Sequence, residues 1–167
     1  SYSAIREANY YLATCDKCDF SQYKFNQDYI AQMSRFKRLK FEVRFLRAYY
    51  YFNLARQYGA VPFTTEVLTD KQANSLGRTP ADDIFKFIVG ECDAICDSLP
   101  ADYSKLGNDA AVNETGRASK LAVLALKART LLYQASPLFN EKSDIERWHK
   151  AALASKAVID SCGKYNV

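Results

Sequence analysis

Apolar residues recur at spacings of three and four through most of the chain, and five helical segments follow from that period and from the residues that punctuate it. The first covers about Ser3 to Cys15, with Ile5, Ala8, Asn9 and Leu12 on one face. A polar, aromatic-rich loop runs from Asp16 to Asn26. The second helix extends from about Asp28 to Tyr58, and at 1.5 Å per residue its length is roughly 45 Å. One stripe on it is Met33, Phe36, Leu39, Val43, Leu46, Tyr50 and Leu54, and a second, Phe41, Phe45, Tyr49 and Phe52, joins later, so its second half needs cover on two sides. Gly59 ends it, since glycine takes positive φ at little cost. Thr79 as N-cap, Pro80 at the first helical position and Asp82 open a third helix, which closes near Leu99-Pro100 with Ile84, Phe87, Ile88, Ile95 and Leu99 on one face. The fourth, about Ala118 to Ser136, is apolar around much of its circumference and belongs between neighbours. The fifth begins at a capping box, Ser143-x-x-Glu146, and carries Trp148, Ala151, Ala152, Ser155, Val158, Ile159 and Cys162.

These helices predict an all-α fold, and a repeat signal narrows it. Tetratricopeptide units pair an outer helix of the form W-x2-[LA]-[GA] with an inner helix of the form A-x3-F-x2-A, whose small residues admit close approach. Ala48-x3-Phe52-x2-Ala55 matches the inner form, Ala128-x3-Leu132-x2-Ala135 nearly does, and Trp148-x2-Ala151-Ala152 matches the outer form. The expected architecture is therefore antiparallel tetratricopeptide-like helix pairs in a right-handed stack. The inner matches lie 80 residues apart rather than about 34, which makes Tyr58 to Thr79 and Leu99 to Arg117 insertions. Phe52 and Trp148 are expected to be buried between helices. The last outer helix has no inner partner after it, so residues 1–167 are expected to be one helical region of a longer protein.

Composition excludes several classes. With 49% hydrophobic and 25% charged residues and only 6 Gly and 4 Pro, neither disorder nor a fibrous repeat fits. A net charge of +4 is too small for a nucleic-acid footprint. The densest basic run, Arg35, Lys37, Arg38, Lys40, Arg44 and Arg47, interleaves with core-spaced apolar residues and reads first as a solvated helix face, second as a contact for an anionic partner. No apolar run is long enough to span a membrane as a helix. Five cysteines include Cys15-x-x-Cys18, open to a disulfide in an oxidising compartment, whereas Cys92, Cys96 and Cys162 read as small hydrophobes. A second C-x-x-C is missing and the single histidine, His149, adjoins Trp148, so no metal site and no cofactor are expected. No phosphate loop, dinucleotide fingerprint or nucleophile elbow occurs, and the acids fall mostly on outward helix faces, which argues for a non-enzymatic protein.

The ordered segments Ile5-Arg6-x-Ala8-Asn9, Glu42-Val43-Arg44-Phe45-Leu46-Arg47-Ala48-Tyr49-Tyr50-Tyr51-Phe52, Tyr58-Gly59-Ala60-Val61-Pro62, Arg78-Thr79-Pro80, Gly116-Arg117-Ala118-Ser119-Lys120 and Trp148-x-Lys150-Ala151-Ala152 resemble the SusD/RagB family of nutrient-capturing outer-membrane lipoproteins. The resemblance covers nearly the whole chain. It implies a surface-exposed lipoprotein of the outer membrane that hands an oligosaccharide, or alternatively a peptide, to a SusC-like TonB-dependent barrel. The membrane anchor it implies, an N-terminal lipid, is absent from this sequence. A generic tetratricopeptide interaction scaffold is the other reading. Arg44, Arg47 and Asn9 are read as packing and hydrogen-bonding positions. For a sugar ligand the useful groups are loop aromatics, whose faces cover C–H surfaces, and amides, which bond hydroxyls. Tyr23, Phe25, Asn26, Tyr103 and Asn108 are the candidates on that ground.

Overall fold

The computed structural model describes residues 1–106, 114 and 116–165. Its helices are α1 (Tyr2–Thr14), α2 (Tyr29–Tyr58), α3 (Asp70–Ser75), α4 (Ala81–Ile95), α5 (Lys120–Ala135) and α6 (Ile145–Tyr165). Two strands of two residues, β1 (Val61–Pro62) and β2 (Arg78–Thr79), pair antiparallel as Val61 with Thr79 and Pro62 with Arg78. The fold is all-α: α1 packs on α2, α2 on α4, α4 on α5 and α5 on α6, so the long helices form a stack in chain order.

Small residues at the contacts explain the close approach. Ala48 and Ala55 are fully buried and Phe52 is 1% exposed, its ring meeting Tyr133 of α5 edge-on at 5.3 Å. Ile84, Phe85, Ile88, Cys92 and Ile95 of α4 and Val123 of α5 complete the core. Tyr51 is also fully buried, and its hydroxyl is satisfied by Thr64, accepting from the backbone N–H at 2.9 Å and donating to the carbonyl at 2.7 Å. That pair of bonds fixes the chain leaving α2 against the helix it has just left. At Gly59, φ is +70° and the N–H bonds Ala55 O at 2.9 Å, the helix stop expected of a glycine there.

Several boundaries differ from expectation. Thr79 is in β2 and Pro80, extended at ψ 143°, is the residue before α4, so neither occupies its predicted place. Pairing of Thr79 with Val61 keeps it in the strand. The α-helical part of α4 ends at Ile95, and a tight turn over Cys96–Ser98 carries the chain to a buried Leu99. Ser143 does not cap α6: it has φ of +52°, and Asp144 accepts from Glu146 N–H at 3.0 Å instead. Asn140 orients Asp144, accepting from its N–H at 2.9 Å and donating to its carbonyl at 3.0 Å. The short α3, with a capping box between Thr69 and Gln72, was not expected within the insertion.

Trp148 is 46% exposed, against the expectation of burial. The face that α6 turns inward keeps Ala151 and Val158 of the predicted stripe but adds Arg147 and Ala154, and leaves Trp148, Ala152, Ser155 and Ile159 outward. Arg147 sets this rotation by reaching the carbonyls of Gln134 and Phe139 and the carboxylate of Asp82 at 2.9 to 3.2 Å.

Candidate functional site

α1 has 13 residues and α2 has 30, so α1 covers less than half of its partner. The N-terminal third of α2 is covered instead by the loop that follows α1. Asp16 anchors this loop by an ion pair with Lys40 at 2.5 Å, which holds the Asp16 carboxyl below its ordinary range. Phe20 meets Phe36 edge-on with centroids 4.8 Å apart. Asp19 accepts from the N–H and hydroxyl of Ser21 at 2.9 and 3.0 Å, and the turns that follow lead through Asn26 N–H to Tyr23 O (2.9 Å) and Tyr29 N–H to Asn26 O (3.1 Å).

Between loop and helix lies an open cleft of about 390 Å³ lined by Phe20, Tyr23, Asn26, Asp28, Tyr29, Gln32, Met33, Arg35, Phe36 and Leu39. Two of the predicted residues, Tyr23 and Asn26, share it. Phe25 is 88% exposed beside it, with Lys24 Nζ 4.9 Å from its ring centroid, and is not part of the lining. Tyr103 is remote from this cleft and half-buried; its hydroxyl donates to Ala118 O at 2.8 Å and lies 3.2 Å from Glu42 Oε1. Burial and then the Glu42 charge push its phenol up to about 12. Asn108 lies outside the described residues. Met33, Phe36 and Leu39, expected as core, are half-buried cleft wall. The contrast in length between the first two helices was the signal that could have revealed an uncovered stripe there.

The basic run on α2 is neither a plain solvated face nor an open anionic contact, because five of its six members meet acids. Arg44 clamps Glu91 through two bonds at 2.7 and 3.1 Å, and Arg47 adds a third at 3.2 Å. Burial works to raise the Glu91 carboxyl, but the two guanidiniums outweigh it and hold it below its ordinary value. Arg47 also donates to Asn9 Oδ1 at 3.0 Å, and Asn9 donates to the carbonyls of Thr64 and Glu66. Asn9, Arg44 and Arg47 are thus structural, as their helical positions suggested. Arg35 and Arg38 converge on the buried Glu114, and Lys40 takes Asp16. Lys37 is exposed. In the reverse sense, Glu42 of α2 receives Arg117 at 2.8 Å. All five cysteines are free thiols: Cys15 and Cys92 are buried, Cys96 and Cys162 half-buried and Cys18 exposed. Burial pushes the Cys92 thiol up to about 12, so it behaves as a small apolar group.

A second cavity of about 300 Å³ lies among α1, α3 and the segment after β1. It is walled by Ile5, Leu68, Ala73 and Leu76, with Arg6, Glu66 and Asp70 at its rim.

Fold and cleft define a helical-repeat scaffold with a shallow aromatic site. Comparison with known proteins gives that scaffold its family. Residues 1–132 match the model of a SusD-like family described as starch-binding and associating with the outer membrane, and the chain belongs to this family. It is 32% identical over 88 residues to SusD-like protein P25 of Formosa agariphila, a match covering 53% of this chain and 15% of that protein. It is similar to a SusD-like carbohydrate-binding protein of Bacteroides fragilis, with a TM-score of 0.70, 29% identity and coverage of 93% of this chain and 25% of the other. Surface glycan-binding protein A of Bacteroides uniformis has a TM-score of 0.65 and 26% identity, with 95% of this chain and 30% of the other covered. The chain thus spans less than a third of the length of each of these relatives.

Proposed function

We propose that the protein captures an oligosaccharide at the bacterial surface and passes it unchanged to a SusC-like TonB-dependent barrel in the outer membrane, and that the cleft between the loop after α1 and the start of α2 contributes a sugar contact. Membership of the SusD-like family carries the reading, and relatives bearing carbohydrate- and glycan-binding names support it. Phe20, Tyr23, Tyr29 and Phe36 supply ring surface for the C–H faces of a sugar, while Asn26 and Gln32 supply amides for its hydroxyls. An open cleft suits a carrier that must release its cargo, because shallow burial limits affinity. A lipid-anchored position on the outer membrane belongs to the same proposal.

The complete protein would be titrated calorimetrically with neutral oligosaccharides and with peptides of similar size, and the products checked for chemical change. Saturable binding of a glycan that is recovered intact, weakened several-fold in Tyr23→Ala and Asn26→Ala, is the expected result. Binding of peptides alone, chemical conversion of the glycan, or failure to co-purify with an outer-membrane barrel would overturn it. Full glycan affinity in both variants would remove this cleft from the reading.

A further inference from the structure

Arg35 stands out among the cleft residues because its charge is only partly answered. It lines the cleft and its side chain is 40% exposed. Its Nε faces Glu114 Oε1 at 3.4 Å, and the two terminal nitrogens have no hydrogen bond among the described residues. Glu114, 3% exposed at its side chain, is shared with Arg38, which binds Oε2 at 3.1 Å and is 12% exposed. Among the described residues two guanidinium charges therefore meet one carboxylate, and the surplus falls on the member that reaches the cleft. Asp28 is the one acid among the described lining residues. It precedes the first residue of α2, where the partial positive charge of the helix terminus offsets it, and it accepts from Gln32 Nε2 at 3.3 Å.

Geometry points the same way. With Nε turned to Glu114, the guanidinium presents its paired terminal N–H groups as a fork, the arrangement that takes two oxygens of one carboxylate or sulfate. The approach to Glu114, an ion-pair contact at 3.4 Å, leaves those terminal groups available to a ligand. We infer that Arg35, only partly neutralised by Glu114 and open to the cleft, makes this cleft select oligosaccharides that carry an anionic substituent, a uronate carboxylate or a sulfate ester, over neutral ones. The inference rests on the reading of the cleft as a sugar contact.

The test uses the complete protein and three oligosaccharides of matched length and linkage: neutral, uronate-containing and sulfated. Wild type binds at least one anionic member about tenfold more tightly than the neutral one, as a charge-assisted bond predicts. That preference shrinks as NaCl is raised from about 0.05 to about 0.5 M. Which anionic member wins distinguishes carboxylate from sulfate. In Arg35→Gln the ratio of anionic to neutral affinity falls to about one, and Arg35→Lys, which keeps the charge but not the fork, retains part of it. An unchanged melting midpoint shows that both variants are folded; the partial exposure of Arg35 favours this. Equal wild-type affinity for neutral and anionic sugars overturns the inference and leaves the cleft reading standing. A preference that survives Arg35→Gln overturns the assignment to Arg35, and binding of none of the three overturns both.

Discussion

At the scale of single residues, the chain separates aromatics that hold helices together from aromatics that face outward. Phe52 is 1% exposed in the core and its ring meets Tyr133 edge-on, so its removal leaves a cavity between α2 and α5. Phe52→Ala should lower stability by about 3 to 5 kcal/mol, read from the urea midpoint at constant slope. Trp148 is nearly half exposed, and Trp148→Ala should cost well under half as much in the same measurement. Comparable losses would show that Trp148 is covered in the complete protein. Glu91 makes a pH prediction. Its folded carboxyl lies below the ordinary value of 4.5, so its contribution is present above that pH and is lost as pH falls through the lower folded value. In Glu91→Gln, the acid-side decline of the melting temperature should be shallower than in wild type, at the expense of a lower midpoint near neutrality. Parallel pH profiles would show that the Arg44 and Arg47 clamp has no such role.

Helices and their ends form the next scale. Apolar periodicity placed the five long helices within a few residues, because each buries a face at the period that the residues themselves carry. Ends were harder where two signals compete. Thr79-Pro80 reads as a helix start, yet pairing of Thr79 with Val61 draws it into a strand, and the start moves to Ala81. Ser143 and Asp144 both suit an N-cap, and a contact with Asn140 selects Asp144. The stop at Gly59 needs no such arbitration. Gly59→Ala puts a side chain at φ +70° with no neighbour within 4 Å of the new Cβ, so strain alone acts. The expected loss is about 1 to 2 kcal/mol, measured by thermal unfolding. No loss would mean that this turn is free to rearrange.

For the molecule as a whole, the stack of α1, α2, α4, α5 and α6 was legible in the residues, and the repeat phase held at Ala48, Phe52 and Ala55 but not at Leu132 and Trp148, which are about half exposed. So was the family, through the order and spacing of its segments from Ile5 to Ala152, in which Asn9, Glu42, Arg44 and Arg47 each meet a partner in another element and Ala48 is fully buried. The candidate site was legible in part. Tyr23 and Asn26 could be named as a loop aromatic and a loop amide, but their meeting with Phe36 and Arg35 depends on where the loop lies across α2. Local chemistry, periodicity and capping act over a few residues and so can be read along the chain. Which face of α6 turns inward, which arginine meets which acid, and which stretch of α2 stays uncovered are settled by contacts between residues such as Arg38 and Glu114, 76 positions apart. Those contacts arise from relative helix lengths and from the charge of whichever side chain arrives opposite. A one-dimensional pattern does not carry that pairing, because many pairings share the same pattern and only close packing in three dimensions chooses among them.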